Sequence, residues 1–390
     1  MSGLSRLYSL ATRSTGTPAC KHPLMVHRSP LLGRTLSTSS RTTGLPSLHA
    51  QERRAGISIK SHRCSISNDA TTVLSELPAL VVVPSVLVGI SLALWTLKCM
   101  SLVLFQNKII YMPSLPPYTR REKLEDYQSM CGKVKWREES IISNDGYRLA
   151  IAVGEIGQDI DHKVKPSIVI LYFQGNGSST PPRLPLLSRA AASVYDATHS
   201  KVIICALSYR GYWKSTGSPS QSGIEIDAQS FLAWAADIYP SSQVIIWGQS
   251  IGAGVASTAL ATYVSKSNPA QPINVKGLIL ETPFVNIRRM LVELYPQKWL
   301  PYRHLWPFLR SHWDSEVALR KMKNSRTQVP PILLLPAADD EVVPRTDAAY
   351  LEKLCHDLGL AVSRVSIHAA LHHQASEKPQ GRKAITEFIK

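Results

Sequence analysis

Ser250 lies in the string Gly248-Gln249-Ser250-Ile251-Gly252, and its flanks make it a candidate nucleophile. The apolar run VIIW precedes the string, and small residues (Gly252, Ala253, Gly254, Ala256, Ser257) follow it. That is the pattern of a buried strand turning directly into a helix. A serine at such a turn takes a strained backbone, so the positions two residues either side need to lack side chains. The helix that follows brings the positive end of its dipole and free N–H groups to the reacting centre.

A serine hydroxyl is a weak nucleophile until a base takes its proton, and a carboxylate must orient that base. With the serine on a strand-to-helix elbow, acid and base are expected later in the chain, in that order. After the apolar run ILLLPA come Asp339, Asp340 and Glu341. Asp340 is the favoured acid, since the chain turns away after it through EVVP, and Asp339 is the alternate. Three histidines then compete for the base: His368, His372 and His373. His368 continues an alternating strand expected over 365–368 and reads as structural. His372 and His373 fall in the loop between that strand and a terminal helix at about 381–389. Adjacent side chains point in different directions, so only one can serve; His372 is favoured and His373 is the alternate.

Ester cleavage also develops negative charge on the carbonyl oxygen, which fixed donors must meet. Gln174-Gly175-Asn176-Gly177 follows the apolar run IVILYF directly. The backbone N–H groups of Asn176 and of Ile251 are therefore the candidate oxyanion hole. Gly175 and Gly177 would let the backbone approach a substrate.

These residues need a scaffold of buried strands, and the chain supplies one. Continuous apolar runs at 168–173, 202–207, 244–247, 277–280 and 332–335 read as strands covered on both faces. Helical stretches at 226–237, 253–264 and 348–358 separate them. Strands at 134–142 and 147–153 flank Asn144-Asp145-Gly146, a hairpin signal. The expectation is an α/β fold with a mostly parallel eight-stranded sheet, helices on both faces and an antiparallel hairpin in front.

Upstream lies a different composition. Residues 77–97, LPALVVVPSVLVGISLALWTL, contain no charge and are bracketed by Glu76 and Lys98. A helix of that length covers the ~30 Å hydrocarbon core, so a single transmembrane helix is expected there. Residues 1–65 are rich in Ser, Thr and Arg, with no acid before Glu52. This is the composition of a mitochondrial presequence or of a basic tail. A mitochondrial membrane is therefore favoured, with the endoplasmic reticulum or another endomembrane as the alternative.

The net charge of +16 excludes less than it suggests, because half of it sits before residue 70, where ten basic residues face two acids. No basic cluster interleaved with aromatics appears, which argues against a nucleic-acid partner. The six cysteines form no CxxC pair and have no histidine at ligand spacing, so neither structural zinc nor a disulfide framework is expected. Cys205 reads as core filler within its apolar run.

The strings LFQNKIIYMPSLPP, FQGNG, YRGYWKSTGSPSQSG, GQSIGAG, DDEVVP and ALHHQAS extend the pattern over residues 104–390. Through them the chain resembles the α/β-hydrolase superfamily, and within it the single-pass membrane subgroup of fungi and animals. That subgroup includes yeast morphogenesis-type hydrolases and hydrolase-domain proteins related to protein depalmitoylases. The resemblance implies a triad of Ser250, Asp340 and His372, with Asn176 and Ile251 at the oxyanion positions. It also marks two departures. Gln174 stands where relatives often carry His, and Leu371-His372-His373-Gln374 differs from their His-Asn-Asp loop.

Residues 284–313 form an aromatic and basic stretch where this fold often inserts a lid. Trp299, Trp306 and Phe308, with Arg288, Arg289, Arg303 and Arg310 nearby, suit either a lipid-facing cap or an ordinary capping helix packed on the core. The expected activity is hydrolysis of an ester or thioester of a lipid or acylated protein, palmitoyl proteins included, through an acyl-enzyme. It needs no cofactor and no metal. The alternative is a catalytically silent membrane scaffold of the same fold. The sequence does not specify an oligomeric state.

Overall fold

The computed structural model describes residues 79–157, 167–266, 272–295, 297, 301–325 and 327–390. The basic segment 1–65, the first two residues of the expected membrane span and Trp299 lie outside the described residues.

The first described element is helix α1 (Ala79–Leu104), followed by the short helix α2 (Gln106–Tyr111). The helix runs seven residues past the expected end at residue 97. Lys98 does not stop it, because Lys is a good helix former and the residues beyond it, CMSLVL, are again helix-compatible and apolar. Residues Val81–Leu104 are long and apolar enough to cross a membrane. The chain from Ala93 onward belongs to one compact unit, and the first part of α1, to Leu92, to another.

Eight strands follow: β1 (Lys135–Ile142), β2 (Arg148–Ile156), β3 (Ile168–Phe173), β4 (Val202–Leu207), β5 (Gln243–Gln249), β6 (Val275–Glu281), β7 (Ile332–Leu335) and β8 (Val362–Arg364). They form one sheet in the order β1-β2-β4-β3-β5-β6-β7-β8. The β1–β2 and β2–β4 pairings are antiparallel and every later one is parallel. The front hairpin closes through Gly146, whose φ of +88° only glycine adopts without strain.

Between the strands run α3 (Leu184–Thr198), α4 (Gln221–Ile238), α5 (Ile251–Val264), α6 (Ile287–Leu294), α7 (Ser315–Lys323), α8 (Arg345–Asp357) and, at the end, α9 (Pro379–Ile389). Strand alternation divides the core into two layers. Val169, Leu171 and Phe173 of β3 face α4, α5, α7 and α8. Ile168, Ile170 and Tyr172 face α3 and α9. This is why β3 is apolar at every position: neither face meets water.

The last strand differs from expectation. It spans Val362–Arg364 rather than 365–368, and Ile367 adds a single bridge to Ala337. His368 therefore lies in an exposed turn beyond the sheet. As a three-residue edge strand with exposed Ser363 and Arg364, β8 carries little of the alternation that a longer one displays. Behind the hairpin, Arg210 bonds to Asp145 (2.8 Å) and to the fully buried Asp227 (2.7 Å), tying the β1–β2 turn to α4.

Candidate active site

Ser250 occupies the single residue between β5 and α5, at φ +55° and ψ −121°. A non-glycine residue there costs on the order of 1–3 kcal/mol, and the surroundings impose it. Its N–H donates to the Glu281 carbonyl (2.9 Å), and its own carbonyl accepts from Ala253 N–H (2.8 Å). The flanking glycines are required by space. A Cβ at Gly248 would sit 2.1 Å from the Gly252 carbonyl oxygen, and one at Gly252 would sit 2.1 Å from that of Phe173. Strand and helix can cross this closely only without side chains at both positions.

The histidine loop brings His372 onto the serine. Its Nε2 lies 2.8 Å from Ser250 Oγ, and its Nδ1 lies 3.0 and 2.9 Å from the two Asp340 carboxylate oxygens. With Nδ1–H donating to the carboxylate, Nε2 is left to accept the hydroxyl proton. Asp340 is held in turn: its Oδ1 accepts the N–H groups of Val342 (2.9 Å) and Val343 (2.8 Å). None of these bonds involves His373. Asp339 points elsewhere, pairing with exposed Arg345 at 3.0 Å.

Several residues support this chain in roles that sequence reasoning did not assign to them. Glu341 Oε2 accepts the His372 N–H at 2.9 Å, fixing the backbone of the loop. Glu281, fully buried at the end of β6, accepts from Ser376 N–H (2.9 Å) on the far side of that loop and from Trp247 Nε1–H (3.1 Å). Burial pushes its carboxyl above the ordinary range, outweighing the N–H donors that favour its ionised form. Next to Ser250, Gln249 Oε1 accepts from Arg183 (2.8 Å) and from Tyr172 OH (3.0 Å). These partners come from distant elements, and no local spacing announces them.

Asn176 and Ile251 both line a cavity of about 160 Å³ that reaches Ser250. Ile251 is the first residue of α5, where backbone N–H groups have no partner inside the helix. Gln174 is buried outside the cavity lining; its Oε1 accepts from Thr180 (3.2 Å) and its carbonyl from Tyr209 OH (2.9 Å). Apart from Gln106 and Tyr295 the cavity's remaining walls are apolar, and no lining residue carries a charge.

Much of one wall comes from the 284–313 segment, through Ile287, Met290 and Leu294 of α6 and Leu305, Phe308 and Leu309 around a short 3-10 turn. Trp306 and Phe308 are exposed, and the Arg288 guanidinium stacks 3.8 Å over Trp306. Trp313 behaves oppositely. It is fully buried and donates to Tyr111 Oη at 2.9 Å, so the segment has both outward and core-packed aromatics. Among the described residues no group of His, Cys, Asp or Glu is placed to hold a metal ion. Cys99, Cys131, Cys205 and Cys355 are buried free thiols, and burial pushes that of Cys205 far up. Cys20 and Cys64 lie outside the described residues.

An eight-stranded sheet in this order, with a serine elbow after the fifth strand, defines the α/β-hydrolase fold. The α/β-hydrolase family model matches residues 185–318, a span that includes the elbow and ends before Asp340 and His372. Protein bem46 of Schizosaccharomyces pombe is 29% identical over 270 residues, covering 68% of this chain and 80% of that one. The lysophosphatidylserine lipase ABHD12 of Xenopus tropicalis is 31% identical over 182 residues, which cover 45% of this chain and 44% of the lipase. Among solved structures, an α/β hydrolase from Vibrio vulnificus superposes with a TM-score of 0.50 at 21% identity, covering 72% of this chain and 90% of its own. The chain is an α/β-hydrolase-fold protein whose curated relatives are hydrolase-domain proteins of the bem46 and ABHD12 type.

Proposed function

We propose that the protein is a membrane-anchored serine hydrolase that cleaves a long-chain carboxylic ester or thioester, with lipid esters as the first substrate class. The observation that carries this is the hydrogen-bonded chain Ser250–His372–Asp340 at the end of an apolar, charge-free cavity. His372 Nε2 takes the proton as Ser250 Oγ attacks the carbonyl carbon, and Asp340 stabilises the imidazolium. The oxyanion is met by the N–H groups of Asn176 and Ile251. His372 then returns the proton to the departing alcohol or thiol, leaving an acyl group on Ser250. Water, deprotonated by the same nitrogen, hydrolyses the acyl-enzyme and restores the serine. The lipase named among the relatives supports a lipid ester over an acylated protein.

Anchoring is supported by α1, in which Lys98 is the only charged residue. A mitochondrial membrane is the compartment favoured by the composition of residues 1–65. The test is turnover of p-nitrophenyl esters of graded length by the full chain and by Ser250→Ala, with fluorophosphonate labelling beside it. The reading expects loss of both label and turnover, by about 10³-fold or more, in the variant. Equal turnover by the two proteins would sink it.

A further inference from the structure

The cavity that ends on Ser250 has a second wall that the mechanism does not use. Leu102 and Val103, in the last turn of α1, and Gln106, Ile109 and Ile110 of α2 line it together with the 284–313 segment. A helix that served only as a tether would lead into a linker. This one is fastened at its end to the cavity. Gln106 Nε2 donates to the carbonyls of Val103 (2.9 Å) and Phe308 (3.0 Å), and its Oε1 accepts the Arg310 N–H (2.7 Å). Arg310 Nη2 donates to the carbonyls of Val103 (2.6 Å) and Leu104 (3.1 Å). Those are carbonyls that a helix C-terminus otherwise leaves without partners. One residue further, Tyr111 Oη bonds Ser311 Oγ at 2.9 Å and accepts from Trp313, so α2 is locked to the same segment twice.

Around this joint several large apolar side chains are exposed. Leu104, Phe105 and Phe308 are each more than half exposed, and Phe308 also lines the cavity. An apolar helix long enough to cross a membrane thus runs, at its end, into the lining of the cavity that reaches the serine. Every lining residue along the way is uncharged. Apart from Gln106, Asn176, Ser250 and Tyr295 the lining is apolar, which suits a hydrocarbon chain better than a charged headgroup.

We propose that the end of the anchor helix is itself a substrate-binding element. One acyl chain of a lipid ester lies between the α1–α2 corner and the 284–313 segment, with its carbonyl carbon at Ser250. The chain enters along the exposed apolar rim from the bilayer rather than through water. This rests on the hydrolase reading above and adds to it a determinant of chain length.

The test uses the full chain reconstituted in phosphatidylcholine vesicles, with p-nitrophenyl acetate and p-nitrophenyl laurate as probes. Leu102→Trp and Ile109→Trp fill the groove from the anchor side; Val88→Trp places the same bulk further up the helix. The expected result is a laurate-to-acetate ratio of kcat/KM at least tenfold lower in the first two, with the third at the wild-type ratio. Fluorophosphonate labelling of Ser250 reports that each variant is folded. If a Trp variant does not label, Leu102→Ala and Ile109→Ala read the opposite direction and raise turnover of palmitate relative to laurate. Ratios within twofold of wild type in labelled variants would overturn the proposal while leaving the hydrolase reading intact. A wild-type protein that neither labels nor turns over either ester overturns both.

Discussion

Replacing Gly252 by Ala perturbs the site without touching a reacting group. The new Cβ would lie 2.1 Å from the carbonyl oxygen of Phe173 and 2.6 Å from that of Gln174. Both are backbone atoms at the end of β3, so no side chain can swing aside. To reach even 3.0 Å, α5 and β3 must part by about 0.9 Å. That separation falls between the two proposed oxyanion donors, since Ile251 starts α5 and Asn176 follows β3 by three residues. Overpacking of this kind costs about 1–3 kcal/mol of stability. A displacement near 1 Å at a reacting centre costs on the order of 10²-fold in rate. The assay is kcat for a p-nitrophenyl ester together with a thermal melt, measured beside Gly175→Ala. At Gly175 the added Cβ meets its nearest neighbours at 3.5 Å, an ordinary contact. Gly252→Ala should lose both stability and about two orders of magnitude in kcat, and Gly175→Ala much less of each. If Gly252→Ala keeps wild-type kcat and melting temperature, the tight β3–α5 crossing does not set the oxyanion geometry and the reasoning fails.

The two adjacent histidines separate cleanly: His372→Ala should lower kcat by at least about 10³-fold, and His373→Ala should stay within about threefold, as read by ester turnover. Arg210→Met strands the fully buried Asp227 carboxylate, so a loss of about 3–5 kcal/mol is expected in thermal or denaturant unfolding, with a correspondingly early melt. Glu281 provides a pH signature. Its folded carboxyl is raised, so the folded protein holds a proton that the unfolded chain releases near about pH 4.3, and stability falls as pH rises from there through the raised value. The difference in melting temperature between the wild type and Glu281→Gln should change with pH in this direction, since Asp227, Asp347 and Glu122 titrate in both proteins.

The strands of the central sheet were legible because burial on both faces leaves an unbroken apolar run. IVILYF and VIICAL are such runs, and their observed limits coincide with the residues read as apolar. The serine elbow was legible for a related reason: close crossing of β3, β5 and α5 can be built only from glycines at 248 and 252. What escaped was set by long-range contact. Neither Glu281 nor Glu341 sits in a pattern that announces a partner in the histidine loop, because the pairing spans the fold. The extension of α1 to Leu104 was missed because Lys98 resembles the edge of a membrane span, although it interrupts neither helix nor apolar face for long. The shift of β8 toward Val362 has the same root. A three-residue strand at an edge, exposed on Ser363 and Arg364, obeys its neighbour β7 more than its own composition.

The outer strand β1 has a consequence for proteins held side by side on a surface. Along its length lie Lys135, Arg137, Glu138 and Glu139, with Arg137 paired to Glu139 and Glu155 and Glu138 to Lys214. The opposite border of the sheet is only three residues long. Neither border offers a long apolar template for another strand. Under the proposed anchoring, copies confined to two dimensions would meet often and already aligned, and such borders would keep their sheets from joining into a continuous ribbon.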